Sequence, residues 1–506
     1  MGHPQSPPKR AIDPLFEIEL HLGLKGSREA SRTLYRQLQA AILDGRLPAG
    51  AKLPPTRKSA AFLGVSRNTA AEVYERLVNE GHAVTRHGAG TYVAQKTAFV
   101  APEKREIEPA SEHRLNEFWL RPDVTAAISF WRDRPDAASP RKGASVDFRP
   151  AMVDSRLFPL DVFRRVSAKQ LRGLERKPAS YKSAQGNQGN FHLRKAITNH
   201  IAATRAVVCQ AEDVLVTSGA QQAFDVLARA LVRPNETVVA LEDPGYPPMR
   251  VAFAAAGAKL VPIGVDDEGL MVAQLPADAR IICVTPSHQF PLGVTMSARR
   301  RRALLEFARE RGAVVIEDDY DGEFRYEGTP LEALRASEGS DVVFYVGTFS
   351  KCMLPALRLG FIVAPIWAMQ TLVAAKNCLD WHCSTPVQSA VAEFIAAGHL
   401  TRHVRKVREV YKQRRQLLLE SLHDKLAEWL HPIPSFYGMH IAVVSVSLDL
   451  EIVADTLLQH NVKIHALSRY FFGPQTKAGL IFGYGTVDLP EIRRGVSVLR
   501  RALTGV

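Results

Sequence analysis

Lys351 closes the run Gly347-Thr348-Phe349-Ser350-Lys351, just past an apolar stretch at 342–346. Asp318 follows a second such stretch, 313–317, and Tyr320 stands two residues further on. A lysine amine there can form an aldimine, a carboxylate can keep a pyridine nitrogen protonated, and a phenol can hydrogen-bond a ring hydroxyl. Thr348, Ser350 and Arg358 add hydroxyls and a guanidinium suited to a phosphate. The run Ser218-Gly219-Ala220-Gln221-Gln222 falls between a predicted strand and a predicted helix, so Gly219, Ala220 and Gln221 would offer backbone amides at a helix N-terminus. Tyr246 supplies an aromatic face for stacking. A lysine, an anion for a ring nitrogen and donors for a phosphate are what pyridoxal 5'-phosphate requires. Singly, each has a plainer explanation: a chance Ser-Lys pair, a solvated turn, a core tyrosine. Their order and their strand-end placement join them into one site.

A second constellation lies near the N-terminus. Leu53-Pro54-Pro55-Thr56-Arg57 is followed by Leu63-Gly64-Val65-Ser66-Arg67-Asn68-Thr69 and by Arg86-His87-Gly88-Ala89-Gly90-Thr91-Tyr92-Val93. A recognition helix reads DNA from its N-terminal residues. Arg67 can fork onto guanine or phosphate, Asn68 onto adenine, and the hydroxyls of Ser66 and Thr69 onto phosphate. Arg57 would hold the DNA backbone. Gly88 and Gly90 allow a tight hairpin from which Arg86 and His87 reach a neighbouring groove. The plainer alternative is that Ser66 and Thr69 only cap a helix.

The elements that must carry these residues follow from periodicity. Leu34, Leu38, Ala41 and Ile42 share one face of a helix at 31–47. A second helix spans about 56–63, a third runs from Ser66 to about Glu80, and a strand–Gly–strand unit fills 82–94. That order is a winged helix. Residues 95–145 alternate charges and prolines, with aromatic islands at Phe118-Trp119 and Phe130-Trp131, and read as a linker whose islands dock on a neighbouring domain. From about 146, short apolar runs alternate with helical stretches, which predicts a largely parallel sheet covered on both faces. A basic helix at about 400–428 precedes short strands in a smaller α+β lobe. Its cations, Arg402, Arg405, Lys406, Arg408, Lys412, Arg414 and Arg415, fit a solvated face with inter-lobe salt bridges; a row of DNA-phosphate contacts is the sharper alternative.

Bulk composition sets limits. A chain of 506 residues calls for more than one domain. A net charge of +13 and a pI near 9.5 favour polyanionic partners. Residues 1–96 contribute 14 Lys/Arg against 8 Asp/Glu. The five cysteines have neither disulfide-framework nor zinc spacing, and no metal site is expected. Without a signal-like or membrane-spanning run, the expectation is a cytoplasmic protein with no membrane partner.

Residues 31–99 resemble the GntR-type winged helix through Leu34-Tyr35-Arg36-Gln37, the stretch from Gly50 to Arg57, and the two segments above. From about 146 to 506 the chain resembles fold-type I aminotransferases through the runs Thr217–Ala223, Glu242–Tyr246, Thr285–Gly293, Glu317–Tyr326 and Gly347–Gly360. The pair of domains resembles the MocR/GabR family of bacterial transcriptional regulators. The resemblance implies an α/β protein in three parts: a winged helix-turn-helix at 31–99, a linker at 100–145, and an aminotransferase fold at 146–506 with a small lobe from about 390. It implies Lys351 as the cofactor's covalent anchor, Asp318 on the pyridine nitrogen and Tyr320 on the ring oxygen. Tyr246 would stack, with Thr348, Ser350 and Arg358 near the phosphate. It further implies a domain-swapped homodimer, double-stranded operator DNA, and an amine, an amino acid or the cofactor itself as effector. Two departures matter. Ile481 stands where aminotransferases place a carboxylate-binding arginine, and Phe290 where many keep an asparagine. Both favour a sensor, with at most a residual half-reaction, over the alternative of an active aminotransferase bearing a DNA-binding appendage, so no catalytic residue is assigned.

Overall fold

The computed structural model describes residues 28–95, 115–130, 145–176, 186–326 and 331–504. The chain divides into two compact units, Met1–Leu115 and Asn116–Val506.

In the first unit, helices Arg28–Leu43, Thr56–Leu63 and Arg67–Asn79 precede an antiparallel hairpin of Ala83–Arg86 and Gly90–Val93. The first helix ends a turn earlier than expected, where Gly45 takes a φ of +82°. Leu34, Leu38, Ala41, Val73, Tyr74 and Leu77 close one core with Leu53, Ala83 and Val93. Ser59 is buried in this core without an apolar side chain. Its hydroxyl lies 2.8 Å from the Tyr74 hydroxyl and 3.3 Å from the Pro54 carbonyl, so its polarity is satisfied.

The second unit is built on an eight-stranded sheet. Its strand order is Val214–Thr217, Gly360–Val363, Val343–Thr348, Val314–Asp319, Ala279–Val284, Val238–Asp243, Lys259–Asp266 and Gly269–Leu270. The five strands from Val343–Thr348 to Lys259–Asp266 run parallel, while Gly360–Val363 is antiparallel to both its neighbours. Alternate strand residues feed two cores. Val239, Leu241, Ile281 and Ile316 meet the helices Ala220–Leu231, Pro247–Ala255 and Ile366–Asp380. Ala240, Ile282, Val315 and Val343 meet the helix Ala298–Arg311 on the other face. A four-stranded antiparallel sheet forms the smaller lobe, with His440–Ser445 and Ala478–Gly483 at its centre.

Two features bear on the sequence-based expectations, one departing from them and one agreeing. Within the stretch read as linker, residues 116–130 are folded: a 3-10 turn at Glu117–Leu120 and a helix at Pro122–Ile128. They belong to the second unit, where Val124, Ala127 and Phe118 pack on Val251. Phe130 is buried in an aromatic cluster, whereas Trp131 lies outside the described residues. The basic helix, His399–Leu426, combines an exposed face with a salt bridge of the expected kind. Arg414 donates to the Asp154 carboxylate at 2.8 Å and to the Gly485 carbonyl at 2.6 Å. Arg408 donates to the Glu323 carbonyl and Arg415 to the Ser435 carbonyl, while Arg405, Lys406 and Lys412 stay exposed.

Candidate functional site

Parallel pairing sets Asp318 directly opposite Val346, so Asp318 and the turn carrying Lys351 emerge from the carboxyl ends of adjacent strands. Open sheets of this kind bind ligands at that end. A cavity of ≈ 1000 Å³ opens there, and its wall includes Lys351, Asp318, Tyr320, Tyr246, Thr348, Ser350 and Arg358. Lys351 donates from Nζ to the Ala151 carbonyl at 2.7 Å. Burial pushes this amine down to about 8, against the opposing pull of the Asp321 and Asp318 carboxylates. Asp318 Oδ1 is buried without a hydrogen-bond partner. Burial holds its carboxyl well above the usual carboxylate range, with Asp319 and Asp321 pushing the same way.

The phosphate-type residues gather at one end of the cavity. Gly219, at φ +80°, caps the helix Ala220–Leu231. A Cβ at Gly219 would stand 2.9 Å from Arg358 Nη2, so the guanidinium occupies space that only glycine leaves open. Arg358 itself takes a left-handed φ of +49° and donates to the Ser218 carbonyl at 3.2 Å. Ala220 and Gln221 line the cavity. Ser218 and Gln222 instead turn their side chains to the Asp380 carboxylate, 3.3 and 2.9 Å away.

Tyr320, expected at a ring oxygen, also has partners within the protein. The hydroxyl donates to the His288 carbonyl at 3.1 Å and lies 2.9 Å from His288 Nδ1. That nitrogen is also 3.0 Å from Asp321 Oδ2, and the His440 ring centroid lies 4.6 Å from that of His288. Burial pushes both imidazoles down to about 3 and, as the largest cause, raises Asp321 to about 8, so the group is uncharged near neutrality. His288, Asp321 and His440 are of metal-ligating type; Nδ1 of His288 and Nε2 of His440 are held by hydrogen bonds, while Nε2 of His288 and Nδ1 of His440 are buried without a partner. Tyr246 meets Phe290 edge to face at 5.7 Å and Phe130 at 6.3 Å.

The donor set fits pyridoxal phosphate: a buried amine, an unpartnered carboxylate oxygen awaiting an N–H, and a cradle that a Cβ would fill.

In the first unit, Arg57, Arg67, Asn68, Arg86, His87 and Gly88 are all exposed. Ser66 Oγ accepts from the Thr69 amide at 3.0 Å and lies 2.8 Å from the Thr69 hydroxyl, so these two side chains hold the recognition helix's start. Arg86 stacks over the Tyr92 ring at 4.7 Å.

Residues 30–93 match the model for bacterial regulatory proteins of the gntR family, and residues 157–476 the model for aminotransferase class I and II. The chain is 33% identical to the probable rhizopine catabolism regulatory protein MocR of Rhizobium meliloti, over 93% of each chain. It belongs to the MocR/GabR family of transcriptional regulators. A second regulator of this kind, the pyridoxine biosynthesis regulator PdxR of Corynebacterium glutamicum, is 30% identical over 91% of this chain and 93% of its own. Among solved structures, the α-aminoadipate aminotransferase LysN of Thermus thermophilus, complexed with N-(5'-phosphopyridoxyl)-L-leucine, superposes with a TM-score of 0.68. It is 26% identical and covers 78% of this chain and 98% of its own. The kynurenine aminotransferase of Pyrococcus horikoshii, at 24% identity and a TM-score of 0.69, shares the fold over 78% of this chain and 98% of its own.

In this MocR-type regulator, the sequence leaves Ala151, His288, Asp321, Ala127 and Ile128 without an assigned task, while Trp119, expected only to dock on a neighbouring domain, lines the cavity wall. The signal for His288 was present in the Thr285–Gly293 run, where a histidine stands beside the asparagine-replacing Phe290 without an assigned task. None of the described helices is long and apolar enough to cross a membrane.

Proposed function

We propose that the chain is a pyridoxal 5'-phosphate-dependent regulator whose aminotransferase-like unit senses an amine while its winged-helix head reads operator DNA. One observation carries this reading. In a chain that begins with a DNA-binding head, Lys351 and the unpartnered oxygen of Asp318 open on one cavity floored with phosphate-type donors. When bound, the cofactor supplies an electrophilic carbon at which an amine is captured. Lys351 would anchor it covalently, since an amine pushed down to about 8 is partly neutral, hence nucleophilic, near pH 7. Asp318 would accept from the ring N–H, Tyr246 would cover the ring, and Thr348, Ser350, Arg358 and the amides of Ala220 and Gln221 would hold the phosphate. Tyr320 stands at the ring's oxygen, oriented by His288. Ile481, buried in the smaller lobe's central strand, offers a substrate carboxylate nothing to bind, which limits the chemistry to a half-reaction at most.

In this reading the protein works in the cytoplasm as a homodimer with exchanged heads. Effector capture favours one arrangement of the two heads on paired half-sites. Visible absorption of the purified protein with added cofactor tests it. A cofactor band is expected that Lys351→Ala abolishes, with operator binding altered by the cofactor in gel-shift assays of the wild type. A wild type that acquires no band overturns the proposal, and sustained turnover of amino donors with keto acids would favour an enzyme instead.

A further inference from the structure

We infer that the ligand accepted beside Lys351 is a primary amine with an apolar body and no carboxylate. The inference rests on the reading above, in which the cavity holds pyridoxal phosphate and meets its effector there.

A carboxylate taken out of water against apolar walls needs a cation, and the ordinary partner is a guanidinium offering two parallel N–H bonds. Among the described residues, the cavity wall carries two cations, Lys351 and Arg358. Lys351 is the point of amine capture. Arg358 is held at the opposite task, donating to the Ser218 carbonyl and packed against Gly219 at the phosphate cradle. Neither remains for a second anion.

The neighbouring side chains close the question from the other direction. Ile481 is wholly buried in one cluster with Phe130, Phe290 and Tyr470. The imidazoles of His288 and His440, near Phe290, are uncharged near neutrality, and His440 Nε2 is bonded to the Pro291 carbonyl at 2.9 Å. Arg469 stands behind Phe130, its guanidinium 5.8 Å from the ring centroid and donating to the Phe130 carbonyl at 3.3 Å. It opens on a separate small cavity with Glu451 and Asp455.

The cavity supplies apolar surface in place of the missing cation. Trp119 and Ile128 face it from the folded arm, Val251 and Ala255 from the helix Pro247–Ala255, and Leu379 from the helix Ile366–Asp380. At ≈ 1000 Å³ it stands at the upper end of small-molecule pockets, leaving room for an apolar body beside the cofactor. Apart from Asp318, the carboxylate on its wall is Asp225, which repels an anion and not an amine. A site without a partner for a charged group rejects that group more strongly than it rejects a change of one methylene.

The experiment is a spectroscopic titration of the full-length, cofactor-loaded protein with matched pairs: 2-phenylethylamine against L-phenylalanine, and butylamine against L-norvaline. In each pair the amine should reach half-saturation at a concentration at least about tenfold lower. Ile481→Arg should narrow or invert that preference; should this variant not fold, the wild-type pairs decide alone. An amino acid equal to or better than its amine overturns the inference, and so does a cofactor-loaded protein whose spectrum responds to neither. A protein with no cofactor band brings down the underlying reading instead, and this inference with it.

Discussion

At Lys351, burial and two carboxylates pull in opposite directions, and burial prevails. Below pH 8 the neutral amine falls about tenfold per pH unit, so cofactor capture by the stripped protein should accelerate as pH rises and level off above about 8. Stopped-flow absorbance measures this directly. Asp318→Asn removes one of the charges that favour the ammonium form, so its break should move to lower pH, with weaker cofactor retention. Asp321 makes the complementary case. Its usual value lies near 3.9 and its folded value is about 8, so the folded state keeps a proton that the unfolded chain releases between these limits. The stability this proton represents is present below about pH 4 and is lost as pH rises through 8. Asp321→Asn cannot titrate, so its melting temperature should fall less than that of the wild type between pH 5 and 8. The sequence disclosed Lys351, Asp318 and Arg358 because a chemical side chain at the end of an apolar run is conspicuous. It concealed His288, whose place depends on Gly438: a Cβ there would lie 1.9 Å from the imidazole. A fit created by an absent atom 150 positions away leaves no local pattern.

Among the elements, the recognition helix separates folding from reading. Ser66→Ala removes the N-cap and should cost the head about 1 kcal/mol of stability, measured by denaturant titration. Arg67→Ala, at an exposed position, should leave stability within about 0.5 kcal/mol and cost about 1–3 kcal/mol of operator affinity. The helix His399–Leu426 shows the same division. Arg414→Ala takes one of two guanidiniums from the buried Asp154 carboxylate, Arg156 keeping the other, and leaves two carbonyls without that donor, an expected loss of about 1–3 kcal/mol, whereas the exposed Arg405 should tolerate alanine. Arg408 and Arg415 each give an N–H to a carbonyl, so the helix's charge serves as fastening as much as surface. Strands of the large sheet were legible because both faces are covered and their apolar runs are continuous. The arm 116–130 was not. Its helix is seven residues long, too short for a period to declare itself, and it opens on Arg121-Pro122-Asp123, which in isolation looks like linker.

In the whole molecule, each unit has its own apolar core. Calorimetry should resolve two unfolding transitions, and saturating cofactor should raise only that of the larger unit, by about 2.7 kcal/mol at a hundredfold excess over Kd. The two units also differ in how far along the chain their partners lie. The head's core is complete by Val93. The larger unit joins its beginning to its end: Val146–Asp147 pairs with Val462–Lys463, and Arg156 reaches the Thr486 carbonyl. Ser145 meets its hydrogen-bond partner 316 positions later. At about 5–20 residues per second, a ribosome takes roughly 15–60 s to deliver that partner. The winged-helix head therefore leaves the ribosome able to fold well before the aminotransferase-like unit can close. During each round of synthesis the cell holds, for that interval, a head free to fold beside a cofactor-type unit that is not yet whole.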